Sequence, residues 1–572
     1  SVHIPANANL SVPPDLDICD RPAFSRRAVR FDGGHYMYTY EQLAERLLWR
    51  VRNRENPMCR NTVGGRVKPY ILGNYQHWKA VTEKIYSREE APLADWSKLF
   101  PIWGAQMYGG VKWGAARAAH NSFDHLPPHV YAKTHPEFYC TDKGKPITEP
   151  SRQKARRICP SNRESCKFVA ESIKRHIART RIVNRVLGQP PQKLFIFTQM
   201  DNWDYCRCPK CTGLSKKYGC YSGVWIEYVN KVARMVAEDY PEVIIKTFAY
   251  QAGMRAPRGI QVADNVMVQV CDWYGLPYGN PAHIDSWISP RNKQRAECLR
   301  RWAAISKHLG IWDYFAFPED FPCTGVDCVA GDMPFFENNK VQLIFIQGEN
   351  SPSPWRRRGV CPELTNWLAL QMMVHPDADP DKEIESFLTA YFGPGAAEMK
   401  KAIAFLRTKQ CLPRERNAFR KPMRLNYVTP EFYNTLNGFF AGAEKACATD
   451  SPELKRVLLE RVKLDESLLN FWNELAGKLP EGEKMPFKRA EVVARLEKNG
   501  KAALDFHYNP IPRKLAMKEL MMRVNYHRNR FLPKALKTHA DRNLVEIPAW
   551  KFHRNSNYHI REKKEIDQDP ES

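Results

Sequence analysis

The chain has 572 residues, 43% of them hydrophobic, with 16 cysteines and a formal net charge of +24; it can bury a large core, and the length suggests two to four domains unless one is a barrel. No run of about 18 apolar residues occurs, which excludes a membrane-spanning helix. The Lys and Arg are spread among 63 acids with no finger, basic-zipper or RNA-binding signature, which argues against nucleic acid and leaves a basic proteome or a preference for anionic surfaces.

Residues 1–25 are a polar, proline-containing lead that starts at Ser1 without an initiator Met or signal peptide, so a mature or trimmed chain whose targeting segment is missing is expected. From Arg26 short apolar runs alternate with amphipathic stretches, the pattern of a parallel α/β fold. Residues 28–31 read as a first strand ending at Asp32, Gly33 and Gly34; a helix over 40–52 follows behind Thr39, and then a strand over 58–63. Residues 67–112, rich in aromatics and glycine without a clean period, read as an insertion. Ala118, Ala119 and His120 lead to a third strand end.

A helix between 161 and 182 delivers the chain to the stretch 193–211, KLFIFTQMDNWDYCRCPKC. Residues 194–198 are too short and too apolar for anything but a buried strand. Asp201, Asn202, Trp203 and Asp204 follow it, and then Cys206, Cys208 and Cys211. A helix over 224–240 places Trp225, Val229, Val232 and Val236 on one face before Pro241 stops it. Further strands are expected at 243–250, 266–272, 309–315 and 341–347, the last ending in Gly348, Glu349 and Asn350. Eight strand candidates, nearly all separated by helical segments, predict a (β/α)8 TIM-type barrel over 26–380. A doubly wound sheet is the competitor, but no Gly-rich phosphate loop follows any strand.

Beyond residue 380 the strands stop. Asp379-Pro380-Asp381, Thr429-Pro430-Glu431 and Ser451-Pro452-Glu453 each supply a cap, a first-turn proline and an acid, so residues 381–550 are expected to form an all-helical domain. Residues 551–572 are a polar tail.

The proposed strand ends carry His120, Asp201, Tyr250, Asp272, Asp313 and Glu349, with Trp203, Trp273, Trp312, Tyr314 and Trp355 near them in sequence. Aromatic faces stack on pyranose rings while carboxylates bind hydroxyls and run acid/base chemistry, so such a mouth suits a sugar. A single acid at a strand end is more often a cap or an ion-pair partner, and a single Trp more often core; the coincidence over four strands favours an enzyme. Cys206, Cys208 and Cys211, with Cys220 as a candidate fourth, have spacing that fits a structural zinc, disulfides or free thiols. In each version the group stiffens the loop that carries Asp201. Cys323 and Cys328 suit a disulfide in an exported protein and core thiols otherwise.

The run of Asp201 and Asn202 followed by Cys206, Cys208 and Cys211, then a helix and Ala249-Tyr250-Gln251, resembles the bacterial domain of unknown function 4838. So do HPEFY at 135–139, IWDY at 311–314 and FIQGE at 345–349. That domain is shared by glycoside hydrolase family 163, and the resemblance covers residues 20–400. It implies a barrel enzyme, a retaining endo-β-N-acetylglucosaminidase that cuts the chitobiose core of complex N-glycans on glycoproteins, secreted, periplasmic or at the cell surface of a bacterium. The 67–112 segment, and an expected absence of an upstream accessory domain, depart from the family pattern.

For N-acetylglucosaminides the substrate's own acetamide can serve as nucleophile. Asp201 and Glu349 are then the central pair, Glu349 as general acid and Asp201 orienting the acetamide, while His120, Tyr250 and Trp312 hold the sugar at the cut. Asn202, Trp203, Asp272, Trp273, Asp313 and Tyr314 complete the expected substrate contacts. Catalysis on this scheme requires no cofactor, and the partner is a glycan or glycoprotein. An exo-acting β-hexosaminidase, an α-glucuronidase-like barrel and a non-catalytic glycan-binding protein are the alternatives.

Overall fold

The computed structural model describes residues 22–24, 26–30, 120–140, 157–186, 191–201, 205–271, 285–314, 321–347, 355, 359–412, 424–504 and 513–529. Six strands form one parallel sheet: β1 (Arg26–Arg30), β2 (Leu194–Ile196), β3 (Ile244–Ala249), β4 (Val266–Cys271), β5 (His308–Tyr314) and β6 (Val341–Gln347). Their order is β1-β6-β5-β4-β3-β2. β2 to β6 therefore stand in chain order, with β1 beyond β6, the neighbour sequence of a stretch of barrel wall. Parallel strands are covered on both faces and read as near-continuous apolar runs; β4, VMVQVC, is buried at every position.

Helices supply most of the crossovers that parallel pairing demands. Pro209–Tyr218 and Tyr221–Ala237 lie between β2 and β3, Lys293–Ile305 precedes β5, and Val326–Asn338 precedes β6. The Trp225 indole donates to Thr247 Oγ1 at 2.9 Å and docks its helix on β3. The β3–β4 connection has no α-helix, only the 3-10 turn Gln251–Gly253. Its backbone is satisfied by neighbours instead: Asn230 Nδ2 donates to Gln261 O at 2.8 Å, Asn230 Oδ1 accepts from Ala263 N at 2.9 Å, and Trp302 Nε1 donates to Met254 O at 2.8 Å.

A full (β/α)8 barrel is not shown: among the described residues the sheet has six strands, with β1 and β2 at its edges. The expected strand at 58–63, the helix at 40–52, the 67–112 segment and the 551–572 tail lie outside the described residues, as do Ala118 and Ala119. From His120 on, the expected third strand end gives way to the short helices Ser122–His125 and Pro128–Tyr131. Asn121 lies along the side of β2 away from β3, where its Oδ1 accepts from Thr198 N at 2.8 Å and its Nδ2 donates to Ile196 O. A side chain there takes up the backbone groups that a neighbouring strand would use.

Two apolar clusters sandwich the sheet. One includes Phe248, Tyr250, Trp312, Tyr314 and Phe345. The Phe248 and Trp312 rings meet edge-on at 5.6 Å although β4 stands between their strands, so this face is concave. The other cluster runs from the opposite face into the C-terminal helices. Those helices begin as expected, at Pro380, Pro430 and Pro452, with the Asp379, Thr429 and Ser451 side chains accepting first-turn N–H groups. They are tied to the segments around the sheet by Glu460 Oε2, which accepts from Cys361 N at 2.8 Å, and by a reciprocal amide pair between Gln410 and Thr324. No helix among the described residues is long and apolar enough to cross a membrane.

Candidate active site at the C-terminal edge of the sheet

Parallel pairing sends every strand's C-terminal end to one edge, and three of the expected site residues meet there. Asp201, five residues past β2 and exposed, receives the Tyr250 hydroxyl at 3.0 Å and the Gln251 amide nitrogen at 3.4 Å on the same oxygen, Oδ1. Burial and the Asp201 charge push the Tyr250 phenol well above its usual range, so it stays a donor. The His120 ring lies 5.6 Å from the Tyr250 ring and 5.7 Å from Phe248. His120 N donates to Thr198 Oγ1 at 2.7 Å, and its Nδ1 lies 3.0 Å from Gln199 O. His120 and Gln251 both hold positive φ, 54° and 51°; non-glycine residues in that region store about 1–3 kcal/mol each and cluster at functional sites.

Below them lies the aromatic floor. Trp312 stands between Phe345, at 4.5 Å, and Tyr314, at 6.3 Å, and is nearly buried. Its indole nitrogen is buried without a hydrogen-bond partner, as are the side-chain oxygens of Gln199 and Gln251. Buried polar atoms are normally satisfied, so unpaired groups beside an exposed carboxylate mark positions where a polar ligand or water can bind.

Asp313 is corrected. Strand alternation turns it to the face opposite Trp312 and Tyr314, where Arg295 donates to Oδ1 at 3.1 Å and the Trp287 indole to Oδ2 at 3.0 Å. There it is a buried ion-pair partner in the helical layer, not a sugar contact. Burial, with Asp313 next to it, pushes the carboxyl of Asp332 well above its usual range. Asn202, Trp203, Asp272, Trp273 and Glu349 lie outside the described residues.

The cysteine group also changes membership. Cys206, Cys208 and Cys211 are joined by Cys159, and their sulfurs all lie within 4.8 Å of one another. Cys220 is elsewhere, with its sulfur 2.9 Å from Ser222 Oγ. Cys323 and Cys328 stand as separate buried thiols. The sequence did hold a signal for Cys159: the dipeptide Cys159-Pro160 repeats Cys208-Pro209. Gln251 could have been found as the residue next to a strand-end tyrosine.

A parallel α/β sheet with an acid, a histidine and aromatics at its C-terminal edge, followed by C-terminal helices, is an architecture that hosts many chemistries. The chain belongs to the family described as Domain of unknown function (DUF4838), whose model matches residues 1–404. No curated protein matches it. Among solved structures it is similar to one titled "Structure of CpGH84B", with 9% sequence identity and a TM-score of 0.36 over 88% of this chain and 78% of that one.

Proposed function

We propose that the protein is a glycoside hydrolase, an endo-β-N-acetylglucosaminidase that cleaves the chitobiose core of complex N-glycans with help from the substrate's acetamide. The observation that carries this reading is the exposed Asp201 carboxylate fixed by Tyr250 and Gln251 beside His120 and over the floor of Phe248 and Trp312. Both donors occupy Oδ1, which leaves Oδ2 for an acetamide N–H. A carboxylate there orients the acetamide oxygen toward the anomeric carbon and stabilises the positive charge that develops as the ring forms. Glu349 is the general acid in this scheme, protonating the leaving oxygen. Trp312 and Phe248 form the buried apolar floor beneath the Asp201 carboxylate.

The test is intact-mass spectrometry of a glycoprotein bearing complex N-glycans. The expected product keeps one N-acetylglucosamine on the protein, and Asp201→Asn or Glu349→Gln abolishes its formation while the fold persists. Near-normal turnover in both variants, or loss of single terminal sugars instead of the whole glycan, overturns the reading.

A further inference from the structure

We propose that Cys159, Cys206, Cys208 and Cys211 together bind one zinc ion, which clips the loop after β2 to the segment that opens the helix Ser165–Val186. Four thiolates about 2.3 Å from a tetrahedral zinc lie about 3.8 Å from one another. Here Cys159 Sγ is 3.5 Å from Cys206 Sγ and 3.8 Å from both Cys208 and Cys211. A disulfide brings two sulfurs to about 2.05 Å and uses them in pairs; one sulfur placed about equally from three others suits a shared central ion.

The surroundings fit the same ion. Cys208 caps the helix Pro209–Tyr218, and its sulfur accepts the Cys211 N–H at 3.4 Å, so a helix N-terminus with an N–H···S bond stands behind two thiolates. Ser161 Oγ lies 3.3 Å from the Cys159 sulfur and 3.5 Å from that of Cys208. Cys159 is held on a short antiparallel bridge, its N–H donating to Phe138 O at 2.8 Å. A four-thiolate zinc centre carries two net negative charges. Arg157, two residues before Cys159 in the chain, is a buried cation on the same segment. Three of the four cysteines are buried and the set is complete, so the ion has no open position and its role is structural. On binding, each thiol gives up its proton and no redox partner is needed.

The test starts with metal analysis of the purified, unmodified chain. About one zinc per chain is expected, released on titration with a mercurial reagent while four thiols become reactive. Cys159→Ser and Cys208→Ser should each lose most of that zinc, and Cys220→Ser should keep it. Iron in place of zinc, a metal-free protein, or a mass short by two hydrogens per disulfide across these four cysteines overturns the proposal, as does a Cys220→Ser variant that loses its zinc. The analysis of the unmodified chain decides the matter even where the ligand variants do not fold.

Discussion

Asp201 and Asp313 read alike as strand-end acids, yet the structure gives them opposite tasks, and replacing each by its amide separates them. Asp313 is buried with Arg295, their charged atoms 3.1 Å apart, and the guanidinium sits 3.8 Å over the Trp287 ring. At that separation and an effective dielectric of about 20 the attraction is roughly 5 kcal/mol. Asp313→Asn keeps an acceptor for the Trp287 indole but removes the buried negative charge that Arg295 contacts at 3.1 Å, a loss of about 3–5 kcal/mol in comparable pairs. That corresponds to a Tm lower by roughly 5 °C in a cooperative unit of this size. Asp201 is exposed and its two partners are neutral donors that an amide oxygen still accepts, so Asp201→Asn should leave Tm within about 1 °C and abolish turnover. Thermal unfolding and N-glycan release on the same preparations give both readouts. An Asp313→Asn protein with unchanged Tm and lost activity would refute the placement of Asp313 in the helical layer.

Tyr250→Phe removes one donor from the Asp201 carboxylate and leaves Gln251; about 1.4 kcal/mol of charge-assisted bonding should disappear, lowering kcat about tenfold with little change in KM. Asp332 carries a pH prediction: burial, then Asp313, raises its folded pKa well above the ordinary value, so the fold keeps a proton that the unfolded chain loses near pH 4. Stability from this group is therefore full below about pH 4 and declines as pH rises toward the folded value, and Asp332→Asn should raise Tm at pH 8 while changing it little at pH 4. Gly223→Ala builds a Cβ 2.3 Å from Tyr218 Cβ, at the junction of the two helices after the cysteine loop. Despite alanine's better helix propensity, overpacking should destabilise by about 1–3 kcal/mol, read by chemical denaturation.

Much of the fold was legible because two periods and three caps are local. The apolar runs at 194–198, 243–250, 266–272, 309–315 and 341–347 are strands in the structure, with ends shifted by at most a few residues. The Asp379, Thr429 and Ser451 caps mark true helix starts. What sequence could not give is which way a strand-end side chain points. Asp313 and Trp312 are adjacent, and whichever faces the mouth, the other must face the helices. Arg295, eighteen residues earlier in the chain, settles the choice through a contact no local pattern contains. Cys159 was missed for a like reason: it meets Cys206 across 47 residues, while Cys220, nearer in sequence, points into a different set of contacts.

The position of Asp201 rests on the segment 197–201, which lies beyond the last ladder residue of β2. Fixing five residues costs roughly 5–10 kcal/mol of backbone entropy. Against this stand seven hydrogen bonds: Phe197 N to Lys246 O, Thr198 N to Asn121, Ser122 N to Thr198 O, His120 N to Thr198 Oγ1, Gln199 Nε2 to Phe248 O, and the two that reach Asp201. At about 1 kcal/mol net apiece they offset most of that cost, and the fully buried Phe197 contributes about 2 kcal/mol more. The acid is thus held from upstream by β3 and the 120–122 strap, independently of the thiol cluster that begins at Cys206. That separation predicts how damage divides. Loss of the cysteine clip should loosen the segment from Cys206 onward and weaken substrate binding, whereas cutting the strap at Asn121 should displace the carboxylate itself and lower the rate of the chemical step.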